Sequence, residues 1–135
     1  MRRTYIVCLF LCLATFSLSR SAQSQSYKES VLYSFTGMAG GWGPMAGVIR
    51  DSEGNLYGIT AYAAVYKVSK TREFTVLYTF TDSSDGAYPS AGVIQDATGN
   101  LYGVAELGGD TDTTCGAPGC GVVFELDTAS NFKVL

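Results

Sequence analysis

From residue 31 onward the apolar positions fall in short bursts between clusters of Gly, Asp, Asn, Ser and Thr, with no segment of useful helical length. Gly47-Val48-Ile49 and Leu56-Tyr57-Gly58 are apolar, rich in β-formers and too short for helices, so they predict strands. Between them lies Asp51-Ser52-Glu53-Gly54-Asn55. An Asp that opens a turn can accept a backbone N–H a residue or two later. Gly54 can take positive φ at no steric cost, as a type I turn followed by a bulge requires. The stretch therefore predicts a tight β-hairpin. Ala46–Gly58 reads A-G-V-I-R-D-S-E-G-N-L-Y-G, and Ala91–Gly103 repeats it as A-G-V-I-Q-D-A-T-G-N-L-Y-G. Asp96, Gly99 and Asn100 take the places of Asp51, Gly54 and Asn55. Turn and core positions recur, whereas Ser52 becomes Ala97 and Glu53 becomes Thr98. A structural role explains that pattern without any ligand.

The repetition extends beyond the hairpin. Residues 31–60 align on 76–105 without gaps, at an offset of 45, with 17 of 30 positions identical. The copies then diverge and meet again, Val65-Tyr66-Lys67-Val68 matching Val123-Phe124-Glu125-Leu126 at an offset of 58. The difference, 58 − 45 = 13 residues, is an insertion in the second copy that carries Gly109, Asp110, Asp112, Cys115 and Cys120. One period predicts four strands, near Ala46–Arg50, Leu56–Thr60, Val65–Ser69 and Phe74–Phe80 in the first copy. Four strands every ~40–50 residues is the period of a β-propeller blade. The expected fold is all-β: tandem four-stranded antiparallel blades forming a partial β-propeller of about two blades. Repeat 1 covers about 31–75, repeat 2 about 76–133, and 134–135 open a third. Tyr33, Tyr57, Tyr78 and Tyr102 recur in strands and read as core, while Gly47, Gly58, Gly92 and Gly103 would allow close packing near a channel.

The run L-Y-S-F-T-G, then P-x-A-G-V-I-x-D-x-x-G-N-L-Y-G, then G-V-V-F-E-L resembles the GloVer (Gloeo/Verruco) tandem repeat of exported bacterial proteins, over about residues 31–135. The second copy is the closer match, with Asp85-Gly86-Ala87-Tyr88-Pro89 and Gly108-Gly109 in place and a C-x4-C insertion like a variant of that family. The resemblance implies a propeller fold and export, and it carries over no catalytic residue. Departures are the two-blade length, the lack of a C-terminal anchor, and Ala61-Tyr62-Ala63-Ala64 where Gly-Gly is usual. They lead to the expectation of a fragment of a longer array. A blade cannot bury both apolar faces alone. A curved pair of blades with open terminal faces is expected, marginal or self-associating in isolation.

Charge and address sharpen the picture. Met1-Arg2-Arg3, the 12-residue apolar run Tyr5–Phe16 and the small polar Ser17–Ser26 read as a secretory signal peptide, residues 1–24. The run is shorter than the ~20 residues a membrane span needs, so no transmembrane span is expected in the mature chain. The whole chain carries 9 Lys and Arg against 12 Asp and Glu; losing Arg2, Arg3 and Arg20 leaves 6 − 12 = −6 over residues 25–135. An acidic chain is a poor partner for nucleic acid. The sequence holds no His, which removes the commonest general base and metal ligand. Cys115 and Cys120 are an even pair in an exported chain, set in C-G-A-P-G-C, and read as a disulfide. A zinc site would need two further ligands that the sequence does not supply.

Candidate chemistry is sparse. Asp82-Ser83-Ser84-Asp85-Gly86 lacks the alternating ligands of a calcium loop and reads as a solvated turn. Asp110 and Asp112 are an acidic pair on an insertion loop, with nothing to hold them ~5–10 Å apart across a cleft as glycosidase chemistry needs. Trp42 and Tyr88 fall in equivalent Gly-rich turns, where exposed aromatics can stack on sugars. The reading is an exported, non-enzymatic β-repeat protein without cofactors or metal. It serves as a binding or cell-surface module, with a glycan as candidate ligand and self-association through open blade faces. The alternatives are a carbohydrate-binding or carbohydrate-active propeller completed by further blades, and a non-functional gene fragment.

Overall fold

The computed structural model describes residues 26–37, 42–61, 63–81, 84–111 and 115–135. The signal-peptide expectation, and those placed on Tyr62, Asp82, Ser83 and Asp112, lie outside the described residues. The chain divides into two units, 1–30 and 31–135. Of the first, residues 26–30 are exposed and carry no regular structure. The second is all-β among its described residues. It has two four-stranded antiparallel sheets and no helix.

The first sheet contains β1 (Ile49–Arg50), β2 (Leu56–Thr60), β3 (Ala64–Val68) and β4 (Phe74–Thr79), hydrogen-bonded in that order. The second contains β5 (Ile94–Gln95), β6 (Leu101–Ala105), β7 (Val122–Leu126) and β8 (Phe132–Val134), again in chain order. Both are meanders, because every connection within a sheet is a tight turn or a loop to the adjacent strand. The registers repeat as well: Ile49 faces Tyr57 as Ile94 faces Tyr102, and Gly58 faces Tyr66 as Gly103 faces Phe124.

The strands begin and end close to the sequence expectation, with two differences. The first strand of each copy is only two residues long. Residues 31–36, expected to be a strand like Val76–Thr81, form none, because among the described residues no strand runs beside them to complete a ladder. Their side chains nevertheless take the same places. Tyr33 stacks on Phe74 at 4.4 Å between ring centres and Phe35 meets Tyr66 edge-on at 5.4 Å. One unit further on, Tyr78 stacks on Phe132 at 4.0 Å and Phe80 meets Phe124 edge-on at 5.2 Å.

The central strands of the first sheet are buried on both faces, Ala64, Val65 and Tyr66 in succession along β3, whereas β7 alternates between buried and more exposed positions. Ile59 and Val65 on one face of the first sheet are fully buried, with Ile49, Tyr57 and Leu77 packed alongside. They meet Val93, Leu101, Ala105, Phe124 and Leu126 from the second sheet in one apolar cluster. Tyr78 and Phe80, at the end of β4, reach onto β7 and β8 and clamp the outer strands together. At the other margin the starts of β1 and β5 approach closely, since a Cβ on Gly92 would lie 3.1 Å from the Gly47 carbonyl oxygen.

Gly58 and Gly103 have a more local role than channel packing. Each lies directly across the ladder from an aromatic residue whose ring folds over it. A Cβ on Gly103 would lie 2.5 Å from Phe124 Cζ, and one on Gly58 2.6 Å from Tyr66 Oη. The missing side chain is the seat of the ring. Tyr33, Tyr57, Tyr78 and Tyr102 are half-buried rather than fully buried.

One buried polar group stands out in the first sheet. Thr60 is fully buried, and among the described residues its Oγ1 finds no hydrogen-bond partner. The second copy has Ala105 at the matching place, buried in the same way. A buried hydroxyl without a partner costs about 1–3 kcal/mol. Thr60→Val is therefore expected to raise stability by about 1 kcal/mol. The check is urea unfolding, and a lower midpoint for the variant would show that the hydroxyl is satisfied after all.

Candidate functional site

The sequence-predicted residues gather at two opposite ends of the sheets. β2 and β6 both run from a turn at one end to a loop at the other. Asp51, Gly54, Asn55, Asp96, Gly99 and Asn100 lie at the turn end, whereas Trp42, Tyr88 and the Cys115–Cys120 loop lie at the loop end.

At the turn end one device recurs. Asp51 Oδ1 accepts the N–H groups of Glu53 and Asn55 at 3.0 and 2.8 Å, and Oδ2 accepts from Asn55 Nδ2 at 2.8 Å and the Tyr57 hydroxyl at 3.0 Å. Gly54 sits at φ +95°, where a side chain would be strained. Asp96 holds Thr98, Asn100 and Tyr102 in the same way, with Gly99 at φ +97°. Asn55 is 5 % exposed, and its Oδ1 also accepts the N–H of Lys70 at 3.2 Å, tying this turn to the next.

Two further copies of the device escaped the sequence reading. Asp127 Oδ1 accepts from Ala129 and Asn131 N–H, and Oδ2 from Asn131 Nδ2. Ser69 Oγ accepts the N–H of Glu73 at 3.0 Å in the β3–β4 turn. Their positive-φ positions are Ser130 at +63° and Arg72 at +68°, so no glycine marked them. The Asp-x-x-x-Asn spacing of Asp127 and Asn131 was the available signal.

These bonds set the electrostatics. Partial desolvation raises the Asp51 carboxyl, but the bonds from Asn55, Tyr57 and Gly54 together outweigh it and bring it down to about 2. Asp96 ends at about 2 by the same opposition, its partners being Thr98 and Asn100. Asp127 is lowered chiefly by the side chain and backbone of Asn131. Tyr57 and Tyr102 are raised, first by desolvation and then by their acidic partners. Between the turns of the two sheets lies a cleft of about 620 Å³, walled by Arg50, Glu53, Tyr57, Lys67, Gln95 and Thr128 among others. Its aspartates are occupied as turn acceptors and strongly acidic, which suits them poorly to general acid–base work near neutral pH. Among the described residues no three His, Cys, Asp or Glu side chains gather to hold a metal ion.

At the loop end the main chain is pinned, and both aromatics stand largely exposed. Ala61 N–H donates to the Trp42 carbonyl at 2.9 Å, and Glu106 N–H to the Tyr88 carbonyl at 3.2 Å. Trp42 is 60 % and Tyr88 68 % exposed. Trp42 borders a recess of about 270 Å³ with Phe35, Thr36, Gly37 and Gly43. Tyr88 lies at φ +54°, while Gly43, its counterpart in the first copy, lies at +37°. A non-glycine residue in this region costs roughly 1–2 kcal/mol.

Cys115 and Cys120 form a disulfide, with Cα atoms 5.3 Å apart. It closes a loop that Gly108 anchors twice, donating to the Pro118 carbonyl at 2.8 Å and accepting from Gly121 N–H at 3.0 Å. Asp110, which precedes the disulfide loop in the same insertion, is exposed. Asp85 holds a turn of its own: Oδ2 accepts from the Tyr78 hydroxyl at 2.7 Å and the Thr81 N–H at 2.9 Å, and Oδ1 accepts the Thr81 hydroxyl at 2.8 Å. Burial, then this bond to Asp85, pushes the Tyr78 phenol up to about 12. Among the described residues no helix is long and apolar enough to cross a membrane.

The class defined by this geometry is an all-β protein of two tandem four-stranded antiparallel sheets built from one repeated sequence. No protein-family model, curated protein or solved structure matches the chain.

Proposed function

We propose that the chain is an exported, non-enzymatic β-repeat module of the GloVer kind, with its two sheets as neighbouring propeller blades and its loop end as a ligand-binding surface. The blade reading is supported by the strand order. The first strands of the two sheets lie together at Gly47 and Gly92, and the last strands lie together at Tyr78 and Phe132. The N-terminal segment, residues 1–24, carries the export signal.

The observation that carries the binding surface is Tyr88. It is a large aromatic residue held exposed in a strained backbone conformation, where the first copy uses glycine. Backbone strain of this kind clusters at ligand-binding and active sites. With Trp42 exposed at the matching loop, flat apolar rings are available to stack on sugar rings, and a glycan is the favoured ligand class. A glycan array probed with the full chain tests this. Binding to a subset of glycans is expected, falling at least tenfold in Trp42→Ala and in Tyr88→Gly, with no release of reducing ends from the bound glycan. Tyr88→Gly should keep or slightly raise the melting temperature, since it removes strain. Unchanged binding in both variants, no binding by the parent chain, or cleavage of the glycan would each reject the reading.

A further inference from the structure

The two copies of the repeat place equivalent residues in opposite environments. Ile59 is fully buried between the sheets, and its counterpart Val104 is 42 % exposed. Val65 is fully buried, and its counterpart Val123 is 51 % exposed. Val104 and Val123 are cross-strand partners, so they share one face of the second sheet. Ile94 belongs to the same face, since its partner Tyr102 is two residues from Val104, and it is 68 % exposed. In the first sheet the matching face is covered by the second sheet.

The opposite pole shows the reverse. Val93 is 2 % exposed where the second sheet packs on the first, while its counterpart Val48 is 48 % exposed. The first sheet also has its aromatic set assembled, Tyr33 and Phe35 lying on Phe74 and Tyr66 as Tyr78 and Phe80 lie on Phe132 and Phe124. The chain therefore carries open apolar positions from both halves of its own interface: Ile94, Val104 and Val123 at one pole, and Val48 at the other, beside Thr60, Tyr66 and Val68, which are already buried.

Charge at the two poles agrees with this. Inside the chain, Gln95 of the second sheet lines one cleft with Tyr57 and Lys67 of the first, and Lys67 lies across the ladder from Tyr57. At the outer poles Arg50 takes the place of Gln95, and Glu125, across the ladder from Tyr102, takes the place of Lys67. A cation on one pole is thus matched to an anion on the other.

We infer that a second copy of this chain docks head to tail, its first sheet covering the Ile94–Val104–Val123 face of the second sheet, with Arg50 of the incoming copy beside Glu125. The contact is heterologous, so it propagates until the rotation per copy closes a ring or, failing closure, as a filament. It involves sheet faces and is independent of any ligand at the loop end. Mutually exclusive halves give the test.

Sedimentation of the full chain is expected to show concentration-dependent association. Val104→Asp and Val48→Asp each block one pole and should each be monomeric with unchanged circular dichroism, since both positions are exposed. Mixed in equal amounts, they should form a discrete dimer, because each retains the pole the other lacks. Glu125→Arg should weaken association at least tenfold, and Arg50→Glu in the same chain should restore it. A parent chain that stays monomeric at all concentrations would overturn the inference. So would association insensitive to Val104→Asp, or failure of the two blocked variants to pair.

Discussion

Phe124→Ala is expected to lower folding stability by about 3–5 kcal/mol, enough to leave the second sheet largely unfolded. Phe124 is fully buried and is the ring on which the second sheet is assembled. It meets Phe80 edge-on at 5.2 Å and stacks with Phe132 at 5.4 Å, so its removal loosens the clamp at β4 and the outer strand β8 together. The partner substitution is Gly103→Ala. Alanine is ordinarily better than glycine in a strand, yet here its Cβ would collide with the Phe124 ring, at a cost of about 1–3 kcal/mol. In the Phe124→Ala background the collision vanishes, and Gly103→Ala should become neutral or stabilising. Urea unfolding of the two single variants and the double variant measures the coupling. Simple additivity would mean that Gly103 is not the seat of the ring.

The second large effect is acid sensitivity. Asp51 and Asp96 titrate at about 2 in the folded chain against an ordinary value of 3.8, and Asp127 is also lowered. A carboxylate whose folded value is depressed stabilises the fold at every pH above its unfolded value, and that contribution is lost as pH falls through the folded value. The melting temperature is therefore expected to be level from pH 7 to 5. It should then fall most steeply between about pH 4 and 2, where the turns lose their acceptors. Replacing Asp51, Asp96 and Asp127 together by Asn should lower the melting temperature at pH 7 and flatten the drop below pH 4. A parent chain with the same melting temperature at pH 5 and pH 2 would show that the turn carboxylates do not hold the hairpins.

Much of the local structure was legible because it is encoded locally. Asp51 and Gly54 define their own turn within five residues, and Asp96 and Gly99 repeat it. Four strands per copy, the hairpin register and the Cys115–Cys120 loop all follow from short spacings. The turns at Ser69 and Asp127 were hidden because Arg72 and Ser130 occupy positive-φ positions without announcing them. Residues 31–36 have the sequence of a strand, but a strand needs a neighbour, and a propensity cannot supply one. Of the candidate site, the exposure of Trp42 and Tyr88 could be anticipated from their Gly-rich turns, whereas the strain at Tyr88 could not.

By itself the sequence determined the repeat, the strands and the turns, since each rests on contacts between residues close in the chain. Only the tertiary structure decided which faces are buried. Ile59 and Val104 occupy the same place in the same motif, yet one is sealed between sheets and the other is open to solvent. Burial depends on what stands opposite, and that is a property of the assembled sheets.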